Sequence, residues 1–309
     1  MLPAGERFDN RRLLASTIVA TALAAAGPAA AALAANDVAA LSKLSIEELA
    51  NVSVTSVSKR AEPLSHAPAS VYVISNEDIL RSGKTSLPEV LRLAPNLQVA
   101  AQGSSSYGIT ARGFNHNSGT ANKLQVLVDG RSVYTPLYSG VFWDIQPAFL
   151  DDIDRIEVIS GPAGALWGAN AVNGVINITT RPAQQTQGGL ARFDAGSLDR
   201  SFALRYGGRL GEAAAFRVYG TGARRGPSVT PSGDRVKDAS DMYQAGARLD
   251  WVAAADTVMA QAGLYDGSSE PIPGAPARGR VGGADAVAHW THTFAGGSLV
   301  DVQASADTN

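Results

Sequence analysis

The sequence contains no cysteine, only 4 histidines in 309 residues, and an aromatic content of 6%. Without cysteine, a disulfide framework and thiolate-based metal sites are excluded. The 26 basic and 28 acidic side chains nearly cancel, giving a net charge of −2. A strongly basic surface of the kind that binds nucleic acid is therefore not indicated, and we expect no nucleic-acid partner.

Familiar catalytic patterns are also missing, because there is no G-x-S-x-G, no H-E-x-x-H and no glycine-rich loop ending in GK[ST]. His289 and His292 are three residues apart, a spacing that puts them on opposite faces of a strand. Another candidate for a cation site is a group of three aspartates: Asp151, Asp152 and Asp154. We expect these aspartates instead to begin a strand and to meet basic groups such as Arg155 or the wall described below. The sequence thus predicts no catalytic residue, no metal site and no cofactor.

The first 35 residues have the composition of an export signal. Arg7, Arg11 and Arg12 precede the apolar run LLASTIVATALAAAG, and AAALAA offers small residues for cleavage. A membrane anchor is the alternative, but Gly27-Pro28 interrupts the apolar run. We expect residues 1–35 to be a signal peptide.

After a short segment at 36–60, residues 61–184 have the pattern of a compact α+β domain. SVYVIS predicts a strand, SNEDILRSG predicts a helix capped at Ser75 or Asn76, and SLPEVLRLAP predicts a second short helix. YGITARGF, KLQVLVDGRSV, LDDIDRIEVISG and GVINITT supply further strands.

From residue 188 onward the pattern changes to long alternating strands. In MYQAGARLDWV (242–252), every second residue from Tyr243 to Trp251 is apolar, and the residues between are Gln244, Gly246, Arg248 and Asp250. The connections at 210–213, 252–256 and 295–298 are short, whereas 223–240 and 266–283 are long and rich in Pro and Gly. This organisation is typical of an outer-membrane β-barrel, and a soluble β-sandwich is the alternative.

Residues 188–309 suffice for about seven barrel strands, whereas a transporter barrel with a plugged lumen uses roughly 22. The expected fold class is therefore an α+β domain followed by antiparallel transmembrane β-barrel strands, with the barrel incomplete. We expect the chain to be the N-terminal portion of a longer protein, since an open sheet with a lipid-facing side would not be stable alone.

The stretch RIEVISGPAGALWGANAVNGVINITT (155–180) has glycine at 161, 164, 168 and 174. It lacks the Lys-Ser/Thr pair of a phosphate-binding loop. We expect its glycines to permit tight turns and close backbone contact with the surrounding wall.

Several of these stretches, in this order, resemble the TonB-dependent outer-membrane receptors. The matching stretches are VYVISNEDILRSG, SLPEVLRLAPNLQV, ITARGF, LQVLVDGRSVY and DIDRIEVISGPAGALWGANAVNGVINITT. The resemblance implies a globular plug at 61–184 inside a barrel whose first strands are at 188–309. It departs from the family at Ser160, where a basic residue is common, so a salt bridge to the barrel from this position is not expected.

The resemblance also implies a TonB box, the segment that a TonB-type energy-transducing protein grasps from the periplasm. NVSVTSVSKR occupies its place, and we centre the box on Val52, Ser53, Val54, Thr55, Ser56 and Val57. An extended, β-prone segment can add to the edge of a partner's sheet. A plain linker is the alternative. Few residues precede the box, which disfavours an additional signalling domain.

Ligand contacts are expected at the tips of the plug, in the stretches 101–108 and 133–147. Aromatic side chains with a polar handle suit such a surface. The candidate substrate-binding residues are Gln102, Ser104, Tyr107, Tyr134, Tyr138, Phe142 and Trp143. Packing against the barrel wall or within the plug core is the alternative for the aromatic members.

The resemblance implies a receptor in the Gram-negative outer membrane, in contact with its lipid, that imports a scarce nutrient such as a ferric siderophore or cobalamin. The alternative is an exported, non-transporting β-rich binding protein or a truncated receptor fragment. In neither case do we expect an enzyme.

Overall fold

The computed structural model describes residues 53–54, 62–63, 69–111, 113, 123–135, 140–146, 149–269 and 279–308. The predicted signal peptide at 1–35 lies outside the described residues, as do Val52, Thr55, Ser56 and Val57 of the predicted TonB box and Tyr138. Within the described ranges, no helix combines the length and the apolar character needed to cross a bilayer.

The described residues of the first part of the chain form short strands and three short helices. Its strands are β1 (Ser53–Val54), β2 (Glu62–Pro63), β3 (Ser70–Ser75), β4 (Leu97–Ala101), β5 (Tyr107–Ala111), β6 (Leu124–Val128), β7 (Arg131–Ser132), β8 (Ile153–Ser160) and β9 (Gly174–Thr180). Its helices are α1 (Asn76–Arg81), α2 (Leu87–Leu91) and α3 (Gly164–Trp167), with 3₁₀ turns at Leu150–Asp152 and Ala183–Gln185. One sheet has the order β3-β8-β9-β6-β7, in which only β6 and β9 are parallel, while β4 and β5 form a separate antiparallel pair.

Local sequence signals account for the two predicted helices. Ser75 caps α1 in a capping box with Asp78, whose carboxylate accepts a hydrogen bond from the Ser75 amide at 3.0 Å. Pro88 lies in the first turn of α2, where a missing N–H costs little. Both helices occur where the sequence predicts them.

The centre of this unit is a continuous apolar core between the five-stranded sheet and the helices. The largest fully buried apolar side chains are Ile74, Ile79, Leu87, Val90, Leu91, Ile109, Leu124, Ile156, Ile176 and Ile178. Both faces of β6 are buried, since all five of its residues are inaccessible. The tip of the β6–β7 hairpin consists of Asp129 and Gly130, with φ of +48° and +80°, as a type I′ turn requires.

The second part is one sheet of seven long antiparallel strands in chain order. These are β10 (Gly188–Ala195), β11 (Asp199–Leu210), β12 (Ala214–Arg225), β13 (Ser240–Val252), β14 (Asp256–Ser269), β15 (Gly279–Thr293) and β16 (Leu299–Thr308). Strands β12 to β15 extend into the predicted loops, so the connections shrink from 223–240 and 266–283 to 226–239 and 270–278. Cross-strand pairing continues without interruption from Ser240↔Ser269 to Val252↔Thr257, which explains this correction. Among the described strands the sheet does not close into a barrel.

The predicted alternation separates the two faces of this sheet. On β13, Tyr243 and Trp251 are 53% and 38% exposed on the outer face, whereas Arg248 and Asp250 are buried on the inner face. The inner, polar face contacts the α+β unit, which therefore lies against the wall as a plug. The alternating pattern thus identified the correct outer face, and the fold class is confirmed.

Candidate functional site

The aspartates 151 and 152 hold the plug against the wall. Asp151 forms an ion pair with Arg192 of β10, with a nitrogen–oxygen distance of 2.6 Å. Asp152 pairs with Arg205 of β11 and with Arg217 of β12, the latter at 3.4 Å. Among the described residues no three His, Cys, Asp or Glu side chains are grouped as a metal site would require. These contacts are the basic partners that we expected for the aspartates.

A second polar cluster surrounds Thr180 at the end of β9. The backbone amide and hydroxyl of Thr180 each donate to the carboxylate of Asp129 at 2.8 Å. The same hydroxyl accepts from Arg248 at 2.7 Å and from Arg217 at 3.0 Å. Arg248 also makes a bidentate pair with Asp250 at 2.7 and 2.9 Å. The last strand of the plug is thereby tied to β12 and β13 just before the chain enters the wall.

Arg131, which follows the hairpin tip, forms ion pairs with the wall on the other side of the hairpin. Arg131 lies 3.3 Å from the carboxylate of Asp285 on β15 and also pairs with Asp307 on β16. The side chains of Arg131 and Asp285 are only 7% and 8% exposed. The carboxylate of Asp129 lies 3.8 Å from the guanidinium of Arg248 on β13, so Asp129 and Arg131 connect one turn to two separated regions of the wall. Neither residue was predicted as functional, although the VDG turn itself was visible in the sequence.

The predicted ligand-facing stretch at 101–108 is in contact with the wall. Gln102 is exposed, and its backbone N–H donates to the backbone carbonyl of Ser106 at 2.8 Å. Ser104 bonds through its amide, hydroxyl and carbonyl to residues of β12 and of the loop that follows. Tyr107 is half-buried and lies under the guanidinium of Arg225, at 5.9 Å from the ring centroid.

The aromatic candidates after the hairpin divide into two groups. Trp143 is 5% exposed within the plug core, so core packing, the alternative stated for it, describes its position. Tyr134 and Phe142 line a cavity of about 180 Å³ between the plug and β14–β16, together with Tyr265. The structure therefore places Tyr134 and Phe142 at one cavity, whereas Trp143 packs in the plug core and also lines a second cavity.

A smaller cavity of about 100 Å³ lies between the plug and β10–β15. Asp144, Arg192 and Arg225 are among its lining residues. Burial raises the pKa of Asp144 above its ordinary value of 3.8, even though the positive charge of Arg225 acts in the opposite direction. The ionised form of this carboxyl group is therefore unfavourable in the folded plug.

We expect Asp144→Asn to raise the thermal stability of the plug at neutral pH. Because the folded-state pKa is raised, the ionised carboxylate costs stability above that pKa, and the cost disappears below about 3.8. The heat-unfolding midpoints of wild type and Asp144→Asn should therefore converge as the pH falls. Asp234→Asn, at an exposed loop position, is the matched control and should leave the midpoint unchanged. Equal midpoints for wild type and Asp144→Asn at neutral pH would refute the prediction.

The glycines of 155–180 do not contact the wall as we expected. Added Cβ atoms at Gly161, Gly164 and Gly168 would meet nothing within 4 Å, and Gly161 and Gly168 are needed for their positive φ of +112° and +85°. Gly174 is closely approached, but by the carbonyl oxygen of Ile159 in the neighbouring plug strand. Among the described residues, the wall makes no close contact at these four glycines, whereas the expected tight turning is seen at Gly161 and Gly168. At Ser160 the hydroxyl accepts from Asn96 at 2.6 Å.

A small α+β unit resting on the charged inner face of long antiparallel strands defines the class of plugged barrel proteins. The family described as TonB-dependent Receptor Plug Domain matches residues 63–175. Residues 63–175 thus match the plug domain of TonB-dependent receptors, and they coincide with the α+β unit described above.

Curated relatives agree with this assignment. A vitamin B12 transporter BtuB of Vibrio vulnificus is 33% identical over 146 residues, covering 47% of this chain and 23% of the relative. An iron-regulated outer membrane virulence protein of Vibrio cholerae is 33% identical over 178 residues, covering 53% of this chain and 26% of the relative. The chain thus spans about a quarter of the length of these two relatives.

Solved structures show the same fold. The ferripyoverdine receptor of the Pseudomonas aeruginosa outer membrane superimposes with a TM-score of 0.64 at 16% identity, covering 82% of this chain and 36% of that receptor. The copper transporter OprC superimposes with a TM-score of 0.61 at 18% identity, covering 77% of this chain and 37% of the transporter.

Proposed function

We propose that the chain is part of an outer-membrane receptor that imports a scarce nutrient of the cobalamin or ferric-siderophore class. The observation that carries this proposal is the seating of the plug on the inner face of the strands. Apolar side chains such as Tyr243 and Trp251 face outward, where barrel strands meet lipid. The names of two relatives, a vitamin B12 transporter and an iron-regulated outer membrane protein, support the ligand classes and the location.

The proposed partner is a TonB-type protein in the periplasm, which would bind the segment 52–57. Within this segment Ser53 and Val54 are extended and pair with Pro63 and Glu62. An extended backbone is the form in which a segment adds to a partner's sheet. Ligand would bind at the plug tips, and pairing of the segment with TonB would then transmit the force that opens a path past the plug. This function requires no catalytic residue.

Deleting residues 51–58 is expected to abolish nutrient uptake and to leave ligand binding intact. The deletion removes the segment that would be pulled and its pairing with residues 62–63, but none of the contacts between the plug and the wall described above. Uptake and binding of radiolabelled cyanocobalamin and ferric enterobactin should be measured in cells that lack their own receptors. Deletion of 40–47, which has the same length, is the control and should preserve uptake. Uptake that survives the loss of 51–58 would rule out the proposed coupling segment.

Growth under cobalamin or iron limitation separates the two ligand classes. A receptor of the proposed kind should rescue growth in one of these conditions. A non-transporting binding protein would bind ligand and rescue growth in neither, which is the result that would overturn the proposal.

A further inference from the structure

One carboxylate connects the apical turn of the plug to an outer loop of the wall. The turn is 101–107, which comprises the last residue of β4, the first residue of β5 and the five residues between them, and the loop is 226–239, between β12 and β13. Asp238 accepts a hydrogen bond from the amide of Ser104 at 2.9 Å and another from the amide of Ser228 at 2.7 Å. The backbone oxygen of Asp238 also accepts from the Ser104 hydroxyl. Asp238 thus bonds to both segments at once.

The same turn is held from a second direction by Arg225, the last residue of β12. Its guanidinium donates to the carbonyl of Ser104 at 3.4 Å and lies over the ring of Tyr107. All three polar groups of Ser104, the amide, the hydroxyl and the carbonyl, are therefore engaged by the wall. At Gly103 an added Cβ would come within 3.1 Å of the Asp238 carboxylate, so this close approach is suited to glycine.

The loop has internal structure that can carry a displacement to Asp238. The amide of Val236 donates to the carbonyl of Ser228 at 2.8 Å, and Val229 and Arg235 form a β-bridge. Asp234 takes part in a separate turn at the loop tip, where it accepts from the Ser232 hydroxyl at 2.8 Å. The loop therefore folds as a hairpin with Asp238 at its base.

The protonation state of Asp238 is compatible with this arrangement at neutral pH. Burial acts to raise the pKa of Asp238, but hydrogen bonds from Ser228 and Ser104 outweigh it and hold the pKa below its ordinary value of 3.8. The carboxylate is therefore ionised, with both oxygens available as acceptors.

We propose that Asp238 is a positioning residue that orders the 101–107 turn and joins it to the 226–239 loop, so that displacing either segment loosens the other. This inference rests on the proposed function in one respect, namely that the turn faces the ligand. Its consequence for binding is that Ser104 is an anchor of the turn. Gln102 and Ser106, which are exposed, are the residues of the turn that remain open to a ligand.

Hydrogen exchange of the complete receptor that contains this chain, purified in detergent, tests the coupling without a ligand. Asp238→Ala should speed exchange of the 101–107 amides by roughly tenfold or more, because their local opening loses its tie to the loop. Asp234→Ala changes the same loop without touching the turn, and exchange at 101–107 should stay as in wild type. In the reverse direction, Ser104→Ala should speed exchange at Ser228 and Val236, whereas Ser106→Ala should not. Unchanged exchange at 101–107 in Asp238→Ala, or equal effects of Asp238→Ala and Asp234→Ala, would overturn the inference.

A distance measurement tests whether the two segments are held together. Because the sequence contains no cysteine, Ser106→Cys and Pro231→Cys can be spin-labelled without removing native thiols. The labelled pair should give one narrow distance distribution, which Asp238→Ala should broaden and Asp234→Ala should not. A distribution that stays narrow in Asp238→Ala would contradict the proposal. Binding of cyanocobalamin and ferric enterobactin is measured separately, so failure of both ligands would count against the proposed function and leave the exchange result to decide the coupling.

Discussion

Replacement of Asp152 by alanine should destabilise the seated plug by about 3–5 kcal/mol, the range for breaking one partner of a buried ion pair. Asp152 is 2% exposed and lies between the guanidinium groups of Arg205 and Arg217, whose side chains are 9% and 3% exposed. Without this carboxylate, both cations remain buried without their counter-charge. The loss should appear as a lower heat-unfolding midpoint of the plug and as faster proteolysis of residues 69–183 in outer-membrane preparations.

Two matched variants show whether the loss of stability comes from leaving the buried arginines without Asp152 or from any substitution near the start of β8. Asp154 is only two residues away, but its side chain is 36% exposed, so Asp154→Ala should cost less than about 1 kcal/mol. The triple variant Asp152→Leu, Arg205→Met, Arg217→Met should recover much of the lost stability, since apolar replacements of similar volume can substitute for a buried ion pair. Equal losses for Asp152→Ala and Asp154→Ala would refute the role given to Asp152.

Local signals in the sequence predicted those parts of the fold that depend on neighbouring residues. Ser75 and Asp78 specify the start of α1 because capping involves groups three residues apart. Alternation along β13 is also a local signal, because successive side chains point to opposite sides of a strand, and it separated the apolar face of β13 from its polar face. The loop limits were wrong because Pro and Gly composition marks a loop but does not show how far cross-strand pairing continues beyond the barrel wall. Strand length here is set by partners such as Ser269 opposite Ser240.

The site was less accessible to sequence reasoning, because its contacts join distant parts of the chain. Arg248 was assigned to the polar face of β13, yet its partner Thr180 is 68 residues away and carries no signal of its own. Trp143 was a candidate for ligand contact because aromatic side chains serve both cores and binding surfaces, and only tertiary packing distinguishes the two. Asp238 was not a candidate at all, since a single aspartate in a polar loop has no distinctive pattern.

Substitution by alanine should destabilise the plug at one glycine of the motif at 155–180 and should have almost no effect at another. Gly174→Ala should destabilise the plug by about 1–3 kcal/mol, the usual cost of overpacking a well-packed core. The new Cβ would press against the Ile159 carbonyl oxygen and lie 3.4 Å from a methyl group of Leu124. Gly174 pairs with Ser160 in a strand that is hydrogen-bonded on both sides, so relief would require movement of the central sheet.

Gly164→Ala should change stability by less than about 0.5 kcal/mol, as surface substitutions usually do. An added Cβ there meets nothing within 4 Å, and Gly164 begins the exposed helix α3, where alanine has the better helix propensity. The heat-unfolding midpoints of the two variants, measured beside wild type, therefore distinguish a tightly packed glycine from an exposed one within one motif. A loss at Gly164 equal to that at Gly174 would mean that α3 is covered by a surface in tight contact with it, and that the motif is buried along its whole length.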